Sequence, residues 1–412
     1  MSLKFQNCAF LAYSYSILIV ILWVDSRYYM YYNGYMFKRY IEDQILLSLR
    51  KNQVVILYGA RQVGKTTLSK KIMTSYNKPL YLNADDINDR LKLQNKGASE
   101  LINLFGDADL VVIDEAQRIE NIGLTAKLIH DTYPNIKLLL TGSSSLDLAS
   151  KIKEPLTGRS IEYTLYPLSL SEISDNNKGR SEAIKRALIF GSYPGLWDIS
   201  QEETKAKLRS IATNYIYRDA FALQTIFDDS VMFNLLQLLA FQLGNEVSYN
   251  ELATTLQISR DTAMRYVDLL EKARIIYRLR QFRRNERSLI GKLRKIYFYD
   301  LGIRNGLIDN FNDINLRTDK GALWENFCIN ERQKAQQQSK TYTRQFYWRN
   351  RSKQEIDLIE ESSSKISAYE FKFSSNKNVK IPKTFSQLYP DVKLTVINSD
   401  NFIENLIKTY GI

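Results

Sequence analysis

One stretch of the chain has the residue types and spacing of a phosphate-binding loop. Residues 59–66 read GARQVGKT, which fits the pattern G-x-x-x-x-G-K-[ST] between an apolar run and a helix-length segment. Glycines let the backbone approach phosphate oxygens closely, and the amides that begin the next helix point at the anion. We expect Lys65 to bridge the β and γ phosphates of ATP and Thr66 to ligate Mg²⁺. The candidate nucleotide contacts are Gly59, Ala60, Arg61, Gln62, Val63, Gly64, Lys65, Thr66 and Thr67.

A pair of acidic residues about fifty positions later supports the same chemistry. Asp114 and Glu115 end the apolar run LVVI, and ligands gather where the strands of an open α/β sheet end. The sequence predicts that Asp114 holds Mg²⁺ and that Glu115 polarises the water that attacks the γ-phosphate. One carboxylate for the metal and an adjacent one for water favours hydrolysis over phosphate transfer to another substrate.

Two more polar residues are candidates for contacts with the transferred phosphate. Ser143 follows a third apolar run, where it either contacts the γ-phosphate or the attacking water, or caps the next helix. Arg159 follows a glycine in a predicted loop. It is a candidate arginine finger, acting in cis or on a neighbouring subunit in a homo-oligomer; the alternative is a solvated arginine that contacts no phosphate.

The elements that must position these groups follow from the spacing of short apolar runs. These runs are separated by helix-length segments, which predicts a parallel sheet with helices on both faces. A helix is predicted after the loop, from Lys65 to about Tyr76. Residues 171–241 have a helical pattern interrupted at GSYPG, residues 246–283 predict short helices and turns, and strands return from 295 onwards. The first set of predicted strands is 53–58, 80–82, 110–113, 137–140 and 160–165.

The composition is that of a globular protein and excludes several kinds of site. The 412 residues are 44% hydrophobic and 25% charged, enough for two or three domains. The net charge of +12 is compatible with a nucleic-acid or anionic-membrane partner, or reflects a Lys-rich composition. Two distant cysteines exclude a disulfide framework, and a single histidine, His130, makes a metal centre with two histidines or a Ser-His-Asp triad hard to build. A reducing compartment follows, and we expect a cytoplasmic location.

Residues 1–35 differ from the rest of the chain. No charge occurs between Lys4 and Asp25, and residues 17–24 read ILIVILWV. The stretch is marginal for a membrane-spanning helix and lacks a small-residue cleavage site. Three interpretations remain open: an upstream start-codon artefact with Met36 as the working start, an N-terminal anchor, or a signal peptide. We therefore expect a membrane partner only if residues 1–35 belong to the native protein.

Taken together, these motifs make the chain resemble a family of bacterial and archaeal AAA-type ATPases with a restriction-endonuclease-like C-terminal domain of unassigned function. The resemblance covers Met36 to the end of the chain. It implies an ASCE-type ATPase core, a helical lid, a winged-helix segment and a nuclease-like fold, and it does not settle the substrate. It rests on GARQVGKTTL, VVIDEAQRI, LLLTGSSSLDL, LTGRSIEYTLYPLSLSE, GSYPGL, YIYRDA, KIYFYDLGIRNGL, KGALWENF and EIDLI…YEFK.

Residues 248–276 have the pattern of a helix, a tight turn and a second helix. Ser248 with Glu251 forms a capping-box pattern, and Ser259 is a candidate N-cap for the second helix. Basic residues are concentrated between positions 274 and 295, among them Arg274, Arg278 and Lys295, as a phosphate-contacting wing requires. The two interpretations are a DNA reader and a winged helix used for intramolecular packing. The candidate DNA contacts are Arg260, Arg265, Arg280, Arg283 and Arg284.

A second group of carboxylates occurs near the C-terminus. Asp357 lies on one predicted strand, and Glu370 and Lys372 lie two positions apart on the next, hence on the same face. We predict that Asp357 and Glu370 bind Mg²⁺, that Glu325 is an additional ligand, and that Lys372 steadies the attacking water. The set matches the PD-(D/E)xK pattern of the resembled family, except that no proline precedes Asp357. The alternative is a strand with paired surface charges.

The predicted organisation is an α/β protein with five segments: a hydrophobic extension at 1–35, a P-loop ATPase domain at 36–170, a helical lid at 171–240, a winged-helix segment at 241–295 and a nuclease-like domain at 296–412. The predicted function is ATP hydrolysis coupled to DNA binding, with Mg²⁺-dependent DNA cleavage as a further hypothesis. The first alternative is a nucleotide-driven regulatory switch of the signalling-ATPase kind without nuclease activity. The second is a membrane-tethered ATPase.

Overall fold

The computed structural model describes residues 37–142, 155–173, 177–215, 229–283, 294–363, 365–374 and 379–411. From Arg39 onwards the chain forms one compact unit. Its two sheets have different topologies, and each positions one of the candidate sites. The first sheet contains strands from residues 54 to 164, and the second contains strands from position 246 to the C-terminal region.

The first sheet is five-stranded and parallel, as the alternation of apolar runs predicts. Its strand order is β2-β3-β4-β1-β5, so β4 lies between the strand that precedes the glycine-rich loop and the strand that ends in Asp114. Every residue of β1 and β3 is buried, as expected for parallel strands covered on both faces. The strands are β1 Val54–Tyr58, β2 Pro79–Asn83, β3 Leu110–Asp114, β4 Lys137–Gly142 and β5 Ser160–Thr164.

Helices cover both faces of this sheet because successive residues of each strand point to opposite sides. Val55 and Leu57 of β1 pack with helices α1 (Ile41–Arg50) and α2 (Lys65–Met73). Ile56 packs on the other face, in the core formed with the remaining helices. Those helices are α3 (Ile87–Leu93), α4 (Ala98–Phe105) and α5 (Ile122–Thr132).

A helical region follows the first sheet, and its GSYPG motif (residues 191–195) contacts the start of a helix about 110 residues later. At Gly191 φ is +73°, and an added Cβ would lie 2.0 Å from an oxygen of Asp300, so this position requires glycine. Asp300 accepts the Ser192 N–H at 2.6 Å and caps a wholly buried helix, α12 (Leu301–Leu307). The helices of this region within the described residues are α6 (Leu170–Ile173), α7 (Asn177–Phe190), α8 (Gln201–Ser210), which continues into a π-helical turn at Ile211–Tyr215, and α9 (Asp229–Phe241).

The described residues between 246 and 298, which exclude 284–293, contain two helices and three strands. The predicted caps are confirmed, since the Ser248 and Ser259 hydroxyls accept the N–H groups of Glu251 and Thr262. The prediction of short helices and turns for the whole of 246–283 was wrong in two places, where β6 and β7 form by pairing with distant strands. The elements are β6 (Glu246–Val247), α10 (Tyr249–Leu256), α11 (Arg260–Lys272), β7 (Ile276–Gln281) and β8 (Arg294–Phe298).

The second sheet has seven strands in the order β12-β11-β10-β9-β7-β8-β6. Arg280 and Gln281 of β7 pair in parallel with Phe346 and Tyr347 of β9, which joins the hairpin β7–β8 to the C-terminal strands. The boundary predicted at residue 295 therefore lies inside β8. The remaining elements are α13 (Lys320–Ser339), β9 (Arg344–Arg349), β10 (Glu355–Glu361), β11 (Ile366–Phe371), α14 (Lys383–Leu388), β12 (Leu394–Ile397) and α15 (Phe402–Tyr410).

Helix α13 contacts both sheets. Near its C-terminal end, Lys334 donates to the Leu168 carbonyl at 2.8 Å and Glu331 accepts the Leu170 N–H at 2.7 Å, in the segment that follows β5. Between these two residues, the buried Arg332 forms an ion pair with Glu360 of β10. The helix therefore links the end of the first sheet to the interior of the second.

None of the helices within the described ranges combines the length and the apolarity needed to cross a membrane. The hydrophobic residues 1–35 lie outside those ranges.

Candidate functional site

The glycine-rich loop joins β1 to α2 in a conformation that its residue types permit. Gly64 has φ +102° and immediately precedes α2, where a side chain would be strained. A Cβ at Gly59 would lie 2.7 Å from the Leu165 carbonyl oxygen, just after β5, so this position also requires glycine. Arg61 is half-buried, whereas Gln62 and Thr67 are exposed.

Lys65 lies inside the curve of this loop. It is 5% exposed, and its Nζ donates to the carbonyl oxygens of Gly59 at 2.9 Å and Ala60 at 3.1 Å. The loop therefore wraps around an ammonium group at the start of a helix whose free amides face the same side. Such a loop attracts phosphate oxygens.

Asp114 lies at the end of β3 and accepts hydrogen bonds from three hydroxyl groups. Thr66 Oγ1 donates at 2.7 Å and Tyr81 OH at 2.5 Å, and Thr141 Oγ1 also donates. Tyr81 comes from β2 and Thr141 from β4, the two strands that flank β3. Burial raises the pKa of Asp114, but the hydrogen bonds from Thr141, Tyr81 and Thr66 outweigh it, so the pKa is below its usual value.

The predicted magnesium ligands are thus in direct contact. Mg²⁺ takes oxygen ligands and binds through one or two protein groups together with phosphates, and the Thr66 hydroxyl and the Asp114 carboxylate offer such oxygens beside the phosphate-binding loop. The residues present fit the ion. The sequence did not identify Tyr81 or Thr141, because their role depends on the strand order.

Glu115 follows Asp114 in an unusual backbone conformation. Its φ is +51°, in the left-handed region that non-glycine residues rarely adopt. Its N–H lies 3.2 Å from Thr141 Oγ1, its half-buried carboxylate accepts from Gln117 Nε2, and a 3₁₀ turn follows at Ala116–Arg118. Backbone strain of this kind concentrates at functional sites. The geometry therefore agrees with a special role for Glu115 next to the metal ligand.

One predicted contact, Arg159, is not part of this arrangement. The Arg159 carbonyl accepts the Val54 N–H at the start of β1, whereas the loop follows the other end of that strand. Arg159 also forms an ion pair with Asp131 at 2.7 Å. An arginine finger acting in cis is therefore excluded for Arg159, and an action in trans remains a prediction. Ser143 lies outside the described residues.

Arg39 anchors the glycine-rich loop through hydrogen bonds, a role that the sequence did not reveal. It is 8% exposed, and it donates to the carbonyl oxygens of Val63 at 3.0 Å and Tyr166 at 2.6 Å and to Glu172 at 3.1 Å. These bonds fix the loop to the segment that leads from β5 into α6. An arginine just before an amphipathic helix carries no local signal of this role.

The C-terminal carboxylates also come together. Asp357 of β10 and Glu370 of β11 are neighbours across an antiparallel pair, and Lys372 Nζ lies 2.7 Å from Glu370 Oε1 and 3.9 Å from Asp357 Oδ2. Carboxylate oxygens of Glu325, Glu355 and Asp357 lie within 4.8 Å of one another. The pairing of β10 with β9 is irregular between Ile356 and Ile359, next to Asp357. Such bulges change the direction of nearby side chains and are common beside functional sites.

The surroundings of this carboxylate cluster (Glu325, Glu355, Asp357 and Glu370) explain its electrostatics. Burial raises the pKa of Asp357 well above its usual value, and Glu325 and Glu370 raise it further. Lys295 is 1% exposed and forms ion pairs with Glu325 at 2.9 Å and with Glu355. Among the residues that the structure describes, a buried oxygen of Glu370 has no hydrogen-bond partner. A set of close oxygens with an unsatisfied acceptor fits a divalent cation.

Glu355 and Lys295 were not identified as members of this cluster. Glu355 lies two residues before Asp357 and therefore on the same face of β10, so the spacing of the EID motif could have revealed it. Lys295 was grouped with the basic residues of a phosphate-contacting surface, and this was wrong, because its side chain is buried among carboxylates.

Two other basic residues of that group also have internal partners. Arg278 pairs with Asp268 at 2.6 Å and with Glu271, and Arg274 donates to the Tyr299 hydroxyl at 3.1 Å. The expectation that they contact phosphates was therefore wrong. Arg284 lies outside the described residues. The predicted DNA contacts that are exposed are Arg260, Arg265, Arg280 and Arg283.

Residues 51–174 match the model of a family described as an AAA domain. The glycine-rich loop, the buried acid at the end of β3 and this match agree, and they support an AAA-type P-loop ATPase domain in this segment. Residues 181–314 and 320–408 match models described as domains of unknown function, DUF8612 and DUF4143.

Relatives and solved structures are similar over large parts of the chain. An uncharacterized protein of Mycobacterium tuberculosis is 29% identical over 335 residues, 81% of this chain and 73% of the relative. One of Methanocaldococcus jannaschii is 29% identical over 314 residues, 65% of this chain and 64% of the relative. Among structures, a Walker-type ATPase of Pyrococcus abyssi has a TM-score of 0.47 and 15% identity, covering 66% of this chain and 96% of the other.

Proposed function

We propose that the protein binds ATP with Mg²⁺ between the glycine-rich loop and Asp114 and hydrolyses it. The observation that carries the proposal is the 2.7 Å contact between Thr66 Oγ1 and Asp114, beside the buried ammonium of Lys65. An oxygen pair and a cation at the start of one helix suit a phosphate chain with its metal ion.

Each residue has a distinct role in this proposal. Lys65 moves from the loop carbonyls to the β and γ phosphates, and the loop amides hold the other phosphate oxygens. Thr66 and Asp114 hold Mg²⁺, which neutralises charge that develops on the phosphates. Glu115 takes a proton from the attacking water as the general base. Tyr81 and Thr141 keep the Asp114 carboxylate ionised and oriented.

Phosphate release by three variants tests this proposal. Lys65→Ala should lose nucleotide binding, whereas Glu115→Gln should bind ATP and hydrolyse it about 10²–10⁴-fold more slowly. Lys71→Ala is the matched control, since Lys71 is an exposed lysine of the same helix, and it should behave as wild type. Wild-type turnover by Glu115→Gln would exclude it as the base, and full nucleotide affinity in Lys65→Ala would refute the site.

We further propose that residues 229–298 form a winged helix that binds DNA. The order α9, β6, α10, α11, β7, β8 and the pairing of β8 with both β6 and β7 support this. Arg260 and Arg265 are exposed on α11, the helix that would enter a groove. Affinity for a labelled duplex should fall steeply with salt. Replacing Arg280, Arg283 and Arg284 by Ala should weaken it, and unchanged affinity would locate the contacts elsewhere.

The carboxylate cluster supports a second activity, metal-dependent cleavage of DNA in a nuclease-like domain. Asp357, Glu370 and Glu325 would hold Mg²⁺, and Lys372 would steady the attacking water. Plasmid nicking with Mg²⁺ or Mn²⁺ tests it: Lys372→Ala should lose activity, and the control Lys365→Ala should not. Nicking that persists in Lys372→Ala would remove this residue from the mechanism.

The alternative is a nucleotide-driven switch without cleavage. Contacts of α13 with the segment after β5 favour coupling between the nucleotide site and the C-terminal region in either case. A wild-type protein that hydrolyses ATP and binds Mn²⁺ but leaves plasmid intact would favour the switch.

A further inference from the structure

A cleft of about 480 Å³ lies between the helices of residues 246–283 and the turn that joins β9 to β10. One wall contains Arg260 at the start of α11 and Arg283 after β7. The other wall is the turn at 349–353, with Arg349, Arg351 and Lys353. The two walls come from parts of the chain separated by more than sixty residues in sequence.

The cleft is strongly basic. Five of its lining side chains are cationic, and its one carboxylate, Glu246, accepts hydrogen bonds from Tyr347 at 2.8 Å and Arg349 at 2.9 Å. Arg260, Arg351 and Lys353 are exposed, and within the described part of the chain none of them pairs with a carboxylate. Unpaired cations that converge on a concave surface attract a polyanion rather than stabilise the fold.

Backbone contacts hold the two walls in a fixed relation. β7 pairs with β9 through Arg280 and Gln281, and the buried Gln281 side chain donates to the Arg349 carbonyl at 2.6 Å. The turn is closed by a hydrogen bond from Lys353 N–H to the Asn350 carbonyl at 3.1 Å. The basic groups are therefore presented by paired strands and a tight turn, so less order has to be imposed when a ligand binds.

The cleft also leads to the carboxylate cluster. Arg349 lines the cleft, pairs in register with Glu355 and lies 3.6 Å from its carboxylate. Glu355 in turn belongs to the three carboxylates whose oxygens lie within 4.8 Å of one another. An anionic ligand held along the cleft by the basic side chains would have one end beside Glu355 of the carboxylate cluster.

We propose that this cleft, and in particular Arg351 and Lys353, binds the phosphodiester backbone of DNA and directs it to the carboxylate cluster. The inference rests on the proposed DNA-binding function and adds a second surface to it, on the C-terminal sheet. Repeated phosphates at short spacing match several convergent cations, and contacts to the backbone imply little dependence on base sequence.

The test compares two double variants of the full-length protein with equal loss of charge. The cleft variant is Arg351→Gln with Lys353→Gln. The control is Lys340→Gln with Lys408→Gln; both lysines are exposed, and Lys340 has a left-handed backbone (φ +56°) like that of Lys353 (φ +60°). Binding of a fluorescent 30-base-pair duplex is measured by anisotropy in EDTA over a range of salt concentrations.

The cleft variant should bind at least tenfold more weakly than wild type at low salt. Its slope of log affinity against log salt should be shallower by roughly 1.8, about 0.9 for each lost phosphate contact. The control should stay within about twofold of wild type, and both variants should keep the wild-type melting temperature because the replaced side chains are exposed.

The failures of the two proposals are distinguishable. If wild type binds with a steep salt dependence but the cleft variant matches the control, DNA binding stands and the cleft is overturned. If wild type shows no salt-dependent binding, the proposed DNA-binding function fails and the cleft fails with it.

Discussion

Asp114 and Asp357 are both buried aspartates on β-strands, exposed by 4% and 7%, yet their pKa values move in opposite directions. Burial raises the pKa in both cases. Around Asp114 three neutral hydroxyl groups donate to the carboxylate and reverse the effect of burial. Around Asp357 the largest effects after burial come from two other carboxylates, Glu325 and Glu370, and they add to it. The neighbouring groups, rather than the degree of burial, therefore decide the direction of the pKa shift of each aspartate.

The opposite pKa shifts indicate how each site is charged in the absence of a metal ion. The nucleotide site is complete in its hydrogen bonds, so an ionised Asp114 is stable without a cation. In the carboxylate cluster, burial, Glu325 and Glu370 raise the pKa of Asp357 although Lys295 and Lys372 lower it, so the ionised form of Asp357 is disfavoured without a cation. We therefore expect metal binding to be coupled to the ionisation of Asp357 in the cluster and not to that of Asp114 in the first site.

The largest effect is expected from Asp114→Asn. The amide removes the charged metal ligand and sets its NH₂ group against one of the hydroxyl donors. ATP hydrolysis should fall by about 100-fold or more, measured as phosphate release at saturating Mg²⁺. Asp391→Asn, at an exposed aspartate, is the control. A turnover close to wild type would show that Asp114 is not the metal ligand.

The next effect concerns metal binding at the cluster, measured by calorimetry with Mn²⁺ in an Asp114→Asn background so that the nucleotide site does not contribute. Adding Asp357→Asn should weaken binding at least about tenfold. Because binding displaces the proton that Asp357 holds, affinity should rise with pH and the heat should depend on the ionisation enthalpy of the buffer. Binding that is independent of pH would remove the contrast between the two aspartates.

Stability in EDTA should change in opposite directions for the two substitutions. Asp114 has a lowered pKa, so its contribution is present above the unfolded value of about 3.9 and is lost as pH falls through the folded pKa; Asp114→Asn should cost about 2 kcal/mol at pH 7.5. Asp357 has a raised pKa, so its favourable contribution is present below the unfolded value and is lost as pH rises through the folded pKa. Asp357→Asn should therefore gain about 1 kcal/mol at pH 7.5.

Urea unfolding of both variants and of Asp391→Asn measures these changes. The gain from Asp357→Asn should shrink as pH falls towards the unfolded pKa of about 3.9, and it should also shrink when Mn²⁺ is added to the wild type. Equal destabilisation by both substitutions would contradict the opposite pKa shifts.

The smallest effect is expected from Tyr81→Phe. It removes one of the three donors to Asp114 and leaves the ring in place, so ATP hydrolysis should fall only severalfold, in line with about 1 kcal/mol for one hydrogen bond. The pH dependence of hydrolysis below pH 6 should shift upward, because Asp114 becomes easier to protonate. An unchanged acidic limb would mean that Tyr81 does not influence Asp114.

The nucleotide site was largely predictable from the sequence because its parts are local. The residues from Gly59 to Thr66 carry their own conformational requirements, and Asp114 ends an apolar strand. Tyr81 and Thr141 could not be identified in the same way, since they flank Asp114 only when β2, β3 and β4 are neighbours. Arg39 reaches the loop from the segment just before α1, a contact that no spacing encodes.

The second sheet was less predictable for the same reason. β7 is a strand because it pairs with β8 and, sixty residues later, with β9, and its sequence has no strong strand signal of its own. Asp357, Glu370 and Lys372 followed from the alternation of side chains along strands. The burial of Lys295 did not, because a run of basic residues looks equally suited to solvent until a carboxylate partner is known.

Helix α13 has a mechanical consequence. It is a single unbroken α-helix of 20 residues, about 30 Å long, and it holds Glu325 near one end while Glu331 and Lys334 grip the stretch after β5 further along. A continuous helix transmits a tilt along its whole length. A tilt of the stretch after β5 would therefore move Glu325 and change the distances between its carboxylate and those of Glu355 and Asp357.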